Sequence, residues 1–156
     1  MVFVECYNDV DLMIYYGLSK KDIDHSGTKS KVLSDINRND SEVILGMVDE
    51  DPHSTKPHEM NAYTVFDSKY NVILLKKSDN VKHKLIQIPG NMEDWLLSQA
   101  KYLKVNLNGL GVLDFRGKMK KRFKKHQKEK LYKLFTKLEK SESFMIVKDW
   151  IMKYKT

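Results

Sequence analysis

Apolar positions along this chain fall into short runs and helical stripes that alternate. Val2-Phe3-Val4 is a brief β-forming run that ends in Glu5. Asn8 reads as a cap, and Val10, Met13, Ile14 and Gly17 follow at helical spacing, so a first strand passes through a short turn into a first helix. Gly27-Thr28 punctuates the chain before Val32, Leu33 and Ile36, again spaced for one helix face. The run Glu42-Val43-Ile44-Leu45-Gly46-Met47-Val48 is too short and too β-branched for a helix. It predicts a central strand buried on both faces, the type found in parallel sheets. Strands alternating with helices predict an α/β sheet with crossover helices.

Residues 52–70 carry two prolines and little periodicity, and they read mostly as a loop or flap. Val72–Leu75 and Leu85–Ile88 are two further strand candidates, separated by the turn-like Ser78-Asp79-Asn80. After Pro89-Gly90, Asn91 is a candidate cap for a helix whose Met92, Trp95, Leu96, Gln99 and Leu103 form an inward stripe. From about residue 116 the chain reads as helical and basic. Leu131, Leu134, Phe135 and Leu138 form one stripe; Phe144, Val147, Trp150, Ile151 and Tyr154 form another, capped by Ser141 or Ser143.

Composition narrows the setting. The 156 residues and 41% hydrophobic content suit one core rather than two. The lone cysteine, Cys6, excludes an internal disulfide, and no Cys/His spacing suits structural zinc, which favours a reducing, cytoplasmic location. Glu5 and Asp9 interrupt what a signal peptide would need, and no apolar stretch approaches the ~18 residues of a membrane span. The net charge of +7 divides unevenly. Residues 1–100 hold 11 Lys+Arg against 16 Asp+Glu, whereas residues 101–156 hold 17 against 5, so an acidic body precedes a basic section. Basic surfaces attract polyanions, of which nucleic acid is the commonest in cytoplasm. Only three of the basic residues are Arg, so binding would address phosphates more than base edges.

Candidate chemistry follows the central strand, in Asp49-Glu50-Asp51. In open α/β sheets ligands bind beyond the carboxyl ends of the strands, where Glu5 and the Asp49/Asp51 pair fall. Alternate residues just past a strand point the same way, so Asp49 and Asp51 are expected to converge on one hard cation such as Mg²⁺, with Glu5 completing the cluster.

The order of a strand-end Glu, a helix, a Gly-containing turn with a second helix, and an apolar strand ending in Asp-x-Asp resembles the Toprim domain. That domain is shared by topoisomerases, bacterial primases, small RNA-maturation nucleases and the OLD family of nucleases. The resemblance covers about residues 2–100 and is nearest to the OLD-like branch. It implies that Glu5 acts as general acid/base or ligand and that Asp49 and Asp51 carry Mg²⁺ or Mn²⁺. Asp9, four positions after Glu5, and Glu93, opening a later helix, match further acidic positions of that branch. Five such carboxylates would suit two metals about 4 Å apart. The implied architecture is a Toprim-like (Rossmann-like), mostly parallel sheet with flanking helices over residues 1–104, and a basic helical section over 105–156 packed on it as one compact domain. The implied activity is Mg²⁺-dependent phosphodiester cleavage of nucleic acid.

One position departs from the pattern: the family usually has Gly directly after the first Glu, where this chain has Cys6. That supports the alternative of a catalytically inactive Toprim-like module that binds nucleic acid or a protein. The sequence holds no ATPase domain and no topoisomerase domain, so a partner such as an ATPase is a further expectation. A haloacid dehalogenase or receiver reading fits less well, because Glu5-Cys6 supplies neither a nucleophilic Asp nor a paired acid. For nucleic-acid contact the candidates are Lys29, beside Gly27-Thr28, and the dense run Arg116, Lys118, Lys120, Lys121, Arg122, Lys124 and Lys125, in which Met119 and Phe123 are spaced to dock on one helix face.

Overall fold

A computed structural model describes residues 1–39, 42–108 and 125–155, with only the backbone of 125–127. Six strands form one sheet: β1 (Val2–Val4), β2 (Ile23–His25), β3 (Ile44–Asp49), β4 (Tyr63–Lys69), β5 (Val72–Lys77) and β6 (His83–Ile88). Their order across the sheet is β2-β1-β3-β6-β5-β4. The β1/β2, β1/β3 and β3/β6 pairs are parallel, whereas β5 runs antiparallel to both β4 and β6. The described helices are α1 (Tyr7–Tyr15), α2 (Lys29–Asn37), α3 (Met92–Tyr102), α4 (Lys125–Leu138) and α5 (Glu142–Tyr154). The chain is thus α/β with a mostly parallel mixed sheet, as the alternation of runs and stripes predicts.

The chain steps from β1 outward to β2, then back across β1 to β3, and this reversal puts its two crossover helices on opposite faces. On one face α1, α3, α4 and α5 bury Leu12, Trp95, Leu134, Phe135 and Phe144 against Val4, Met47, Leu74 and Ile86. On the other, α2 and a short 3-10 turn at His58–Ala62 pack Val32, Leu33, Ile36 and Met60 against Ile44, Val48 and Leu85. Gly46, central in β3, makes the α2 contact possible. A Cβ there would stand 2.5 Å from a Leu85 methyl and 2.8 Å from the Ile36 Cδ1.

The last two helices share the core of the sheet. Tyr16 Oη donates to the Phe144 carbonyl at 2.7 Å, Trp95 Nε1 donates to Ser143 Oγ at 2.9 Å, and Lys128 pairs with buried Asp11 at 3.2 Å. The C-terminal stripes are buried as their spacing predicts, with Ser141 capping α5 through the Phe144 N–H. Asn91 and Thr28 likewise cap α3 and α2. Among the described residues no helix is long and apolar enough to cross a membrane.

Several local expectations are corrected. The cap of α1 is Cys6 rather than Asn8, because the Asp9 carboxylate reaches back to the Cys6 N–H at 2.8 Å, the reciprocal half of a capping box. The buried apolar residues of α1 are Leu12 and Met13, joined by Tyr16 just past its end, with Val10 and Ile14 only half-buried. Ile23–His25 forms a strand that is too short to register as a pattern. Residues 52–70 are not simply a loop. Met60 and Tyr63 anchor them to the core, and Tyr63–Lys69 adds an antiparallel edge strand through a two-residue turn in which Tyr70 and Asn71 are both left-handed. Met119 and Phe123 lie outside the described residues.

Candidate carboxylate site at the parallel strand ends

The strand order reverses between β1 and β3, and the carboxyl ends of strands at such a reversal are where open α/β sheets bind ligands. Val4 pairs with Met47, so Glu5 leaves β1 beside the end of β3. Its Oε1 accepts the Asp49 N–H at 2.8 Å. The turn Pro89-Gly90, with Gly90 at φ +66°, then starts α3 directly beyond β6 and carries Glu93 in its first turn.

Three helix N-termini converge here, each donating a backbone N–H to a different carboxylate. Cys6 N–H meets Asp9, Lys29 N–H meets Glu5, and Met92 N–H meets Asp49. Helix N-termini favour negative charge, so these bonds lower the carboxyl pKa values. Burial and mutual repulsion outweigh them. Burial, then Asp9, Glu5 and Glu93, push Asp49 up to about 8. Asp9, only 4% exposed, is pushed up to about 7 by burial, with Glu5 and Glu93 adding to it. Glu5 is also raised, chiefly by burial, against its backbone bonds and the Lys29 charge. Four carboxylates therefore lie in one another's fields, and among the described residues none of the four is in a salt bridge.

Asp51 departs from its expected role. β3 ends at Asp49, and Asp51 turns left-handed at φ +46°, which breaks the strand alternation that would aim both side chains together. It is exposed, its N–H donates to the Gly90 carbonyl at 2.7 Å, and its Oδ2 accepts the Ser54 hydroxyl, although its charge still reaches Glu5. Glu50 points elsewhere, as expected, with Oε2 accepting the Gly90 N–H at 3.0 Å and tying the loop after β3 to the turn after β6. Among the described residues no three His, Cys, Asp or Glu side chains stand close enough to hold one metal ion.

Lys29 does reach the site, where its Nζ donates to the Glu50 carbonyl at 2.9 Å. Arg116, Lys118, Lys120, Lys121, Arg122 and Lys124 lie outside the described residues, and of Lys125 only the backbone is described. The Cys6 thiol is pushed far up by burial and by Asp9, which disfavours the thiolate that a nucleophile needs. The sequence pattern missed the pair at the neighbouring strand end. His25 closes β2, and its ring stacks on half-exposed Tyr7 with centroids 4.0 Å apart. Only the β1/β2 register brings these residues together.

Comparison of the chain with protein-family models, curated proteins and solved structures found no match.

Proposed function

We propose that this chain is a Toprim-like protein that cleaves phosphodiester bonds of nucleic acid with Mg²⁺ or Mn²⁺. The observation that carries this is the gathering of Glu5, Asp9, Asp49 and Glu93 at the sheet's reversal point, with burial first and mutual repulsion second raising the proton affinity of Asp9 and Asp49. A cluster of repelling carboxylates is relieved by a proton or by a hard cation, and every donor offered here is oxygen, the type Mg²⁺ takes. The donor chemistry fits, while the present spacing leaves the carboxylates apart, so binding would draw them closer.

Glu5 and Asp49 would be the catalytic carboxylates, with Asp9 and Glu93 supporting a second ion and Asp51 adding its charge from the loop. The cation would supply Lewis-acid stabilisation of the phosphoryl oxygens and lower the pKa of water. Glu5, held by two backbone N–H groups and with a raised pKa, is suited to take the proton of an attacking water. As the new oxygen–phosphorus bond forms, the bond to the leaving sugar oxygen breaks, and that oxygen takes a proton.

The alternative is an inactive module that binds nucleic acid or a protein partner, for example an ATPase. It is favoured by the way Asp9 is engaged in capping α1 at Cys6. Incubating the purified protein with Mg²⁺ or Mn²⁺ and single- or double-stranded DNA or RNA separates the two. Cleavage that Asp49→Ala abolishes supports the enzyme; no metal-dependent cleavage of any substrate, or an equally active Ala variant, leaves the inactive module.

A further inference from the structure

A second feature lies at the far edge of the sheet. The edge strand β4 bulges between Val65 and Asp67, and the residue in the bulge, Phe66, is 47% exposed. Bulges re-aim side chains, and this one sets the Phe66 ring beside two lysines. Lys76 of β5 and Lys84 of β6 are direct cross-strand partners. Their Nζ atoms stand 5.5 and 6.0 Å from the Phe66 centroid. From the end of α5, Tyr154 meets Phe66 edge-on at 6.3 Å, and its ring lies 4.9 Å from Lys84 Nζ and 5.1 Å from Lys153 Nζ.

Like charges directly opposite on neighbouring strands destabilise a sheet. Nearby Lys69 and Lys77 each have an aspartate, Asp67 at 3.7 Å and Asp79 at 3.6 Å. Lys76 and Lys84 have none among the described residues, and Lys84 has its proton affinity lowered by burial and by Lys76. The fold thus holds two lysines at facing strand positions without a counter-ion, Lys84 Nζ donating to the Val81 carbonyl at 2.7 Å, next to a half-exposed ring. Ammonium groups take phosphates and exposed rings take unstacked bases, the pairing by which proteins hold single strands. An acidic peptide would meet the charges but has no flat partner for the ring. Duplex bases are already stacked on one another.

We propose that Phe66, Lys76, Lys84, Lys153 and Tyr154 form a platform for single-stranded nucleic acid. It rests on the reading of nucleic acid as substrate and deepens it by adding a second contact away from the carboxylates. Lys84 lies four residues before Ile88, the partner of Asp49, or about 13 Å along the strand. A strand seated here would be held at one point while another part of it reaches the carboxylates.

The test is fluorescence anisotropy of the full chain with labelled 20-nucleotide oligo-dT and oligo-U, in EDTA so that no cleavage intervenes, across a potassium chloride series. Lys76→Gln/Lys84→Gln should weaken binding and reduce the salt slope by about 1.4, from the ~0.7 per phosphate of single strands. Phe66→Ala should weaken binding by about 5- to 100-fold with the slope unchanged. Asp49→Ala should bind as the parent does. Melting temperatures of the lysine variant should stay near the parent's, because the repulsion removed offsets the cation–π contacts and the Val81 bond that are lost. Binding indifferent to these substitutions, or no binding of either oligonucleotide, overturns the platform. Losses as stated without any metal-dependent cleavage leave the platform standing and sink the nuclease. Cleavage that ignores Phe66, Lys76 and Lys84 does the reverse.

Discussion

The most direct test of the carboxylate cluster needs no substrate. Asp49→Asn removes one negative charge but keeps an acceptor for the Met92 N–H. In the folded protein Asp49 is raised to about 8, against the ~3.9 of an unfolded Asp. A carboxyl raised on folding contributes stability that is fully present below the unfolded value and is lost as pH climbs through the folded one. The metal-free protein should therefore lose stability between about pH 4 and pH 8, and the Asn variant should lose less. A tenfold change in proton affinity is worth about 1.4 kcal/mol. Water screens part of the effect at this half-buried side chain, and Asp9 shares the same excess of charge, which leaves about 2 kcal/mol for Asp49 at pH 8. For a chain of this size that is about 4 to 8 °C in melting temperature. Calorimetric scans of both proteins in EDTA at pH 4.5 and pH 8 should show the variant gaining on the parent as pH rises, with the larger advantage at pH 8. An offset that is the same at both pH values, or an Asn variant less stable at pH 8, would falsify the picture of a carboxyl raised by burial and by its acidic neighbours.

Other outcomes follow from the same geometry. Adding Mg²⁺ at pH 8 should stabilise the parent by about 2.7 kcal/mol at 100 times the dissociation constant, read as a rise in melting temperature, and Asp49→Ala should lose that response; an equal response in both places the ion elsewhere. Gly46→Ala drives a methyl into Leu85 and Ile36 and should cost about 1 to 3 kcal/mol in urea unfolding. Ile36→Val, which deletes the Cδ1 atom in question, should recover part of that loss in the double variant, and strict additivity would show that the close approach is not the cause. Ser141→Ala removes the cap of α5 and its 2.7 Å bond to Gln99, with an expected cost of about 1 to 2 kcal/mol read the same way.

Much of the fold was legible because it rests on local rules. The caps Asn91 and Ser141, the buried run before Asp49 and the stripes around Leu134 and Val147 are all set by neighbours a few residues apart. The errors also have local causes. Asn8 is a strong capping residue by type, but the backbone turns one step earlier, where Asp9 can reach back to Cys6. Tyr63–Lys69 has an exposed, irregular pattern because it is an edge strand with a bulge, so burial gives it no alternation to read.

For the candidate site, sequence alone determined which side chains stand at element ends: Glu5 after β1, Asp49 closing β3 and Glu93 in the first turn of α3. Periodicity and capping act over a turn or a strand, and they suffice for that. Tertiary structure decided what those ends meet. The β2-β1-β3 reversal brought three helix N-termini to three carboxylates and stacked His25 on Tyr7, while the left-handed turn at Asp51 took it out of line with Asp49. The pairing of Lys76 with Lys84 beneath Phe66 likewise depends on strand register. Register is set by the whole buried face of a sheet, and a segment's own pattern carries no record of which neighbour it will face.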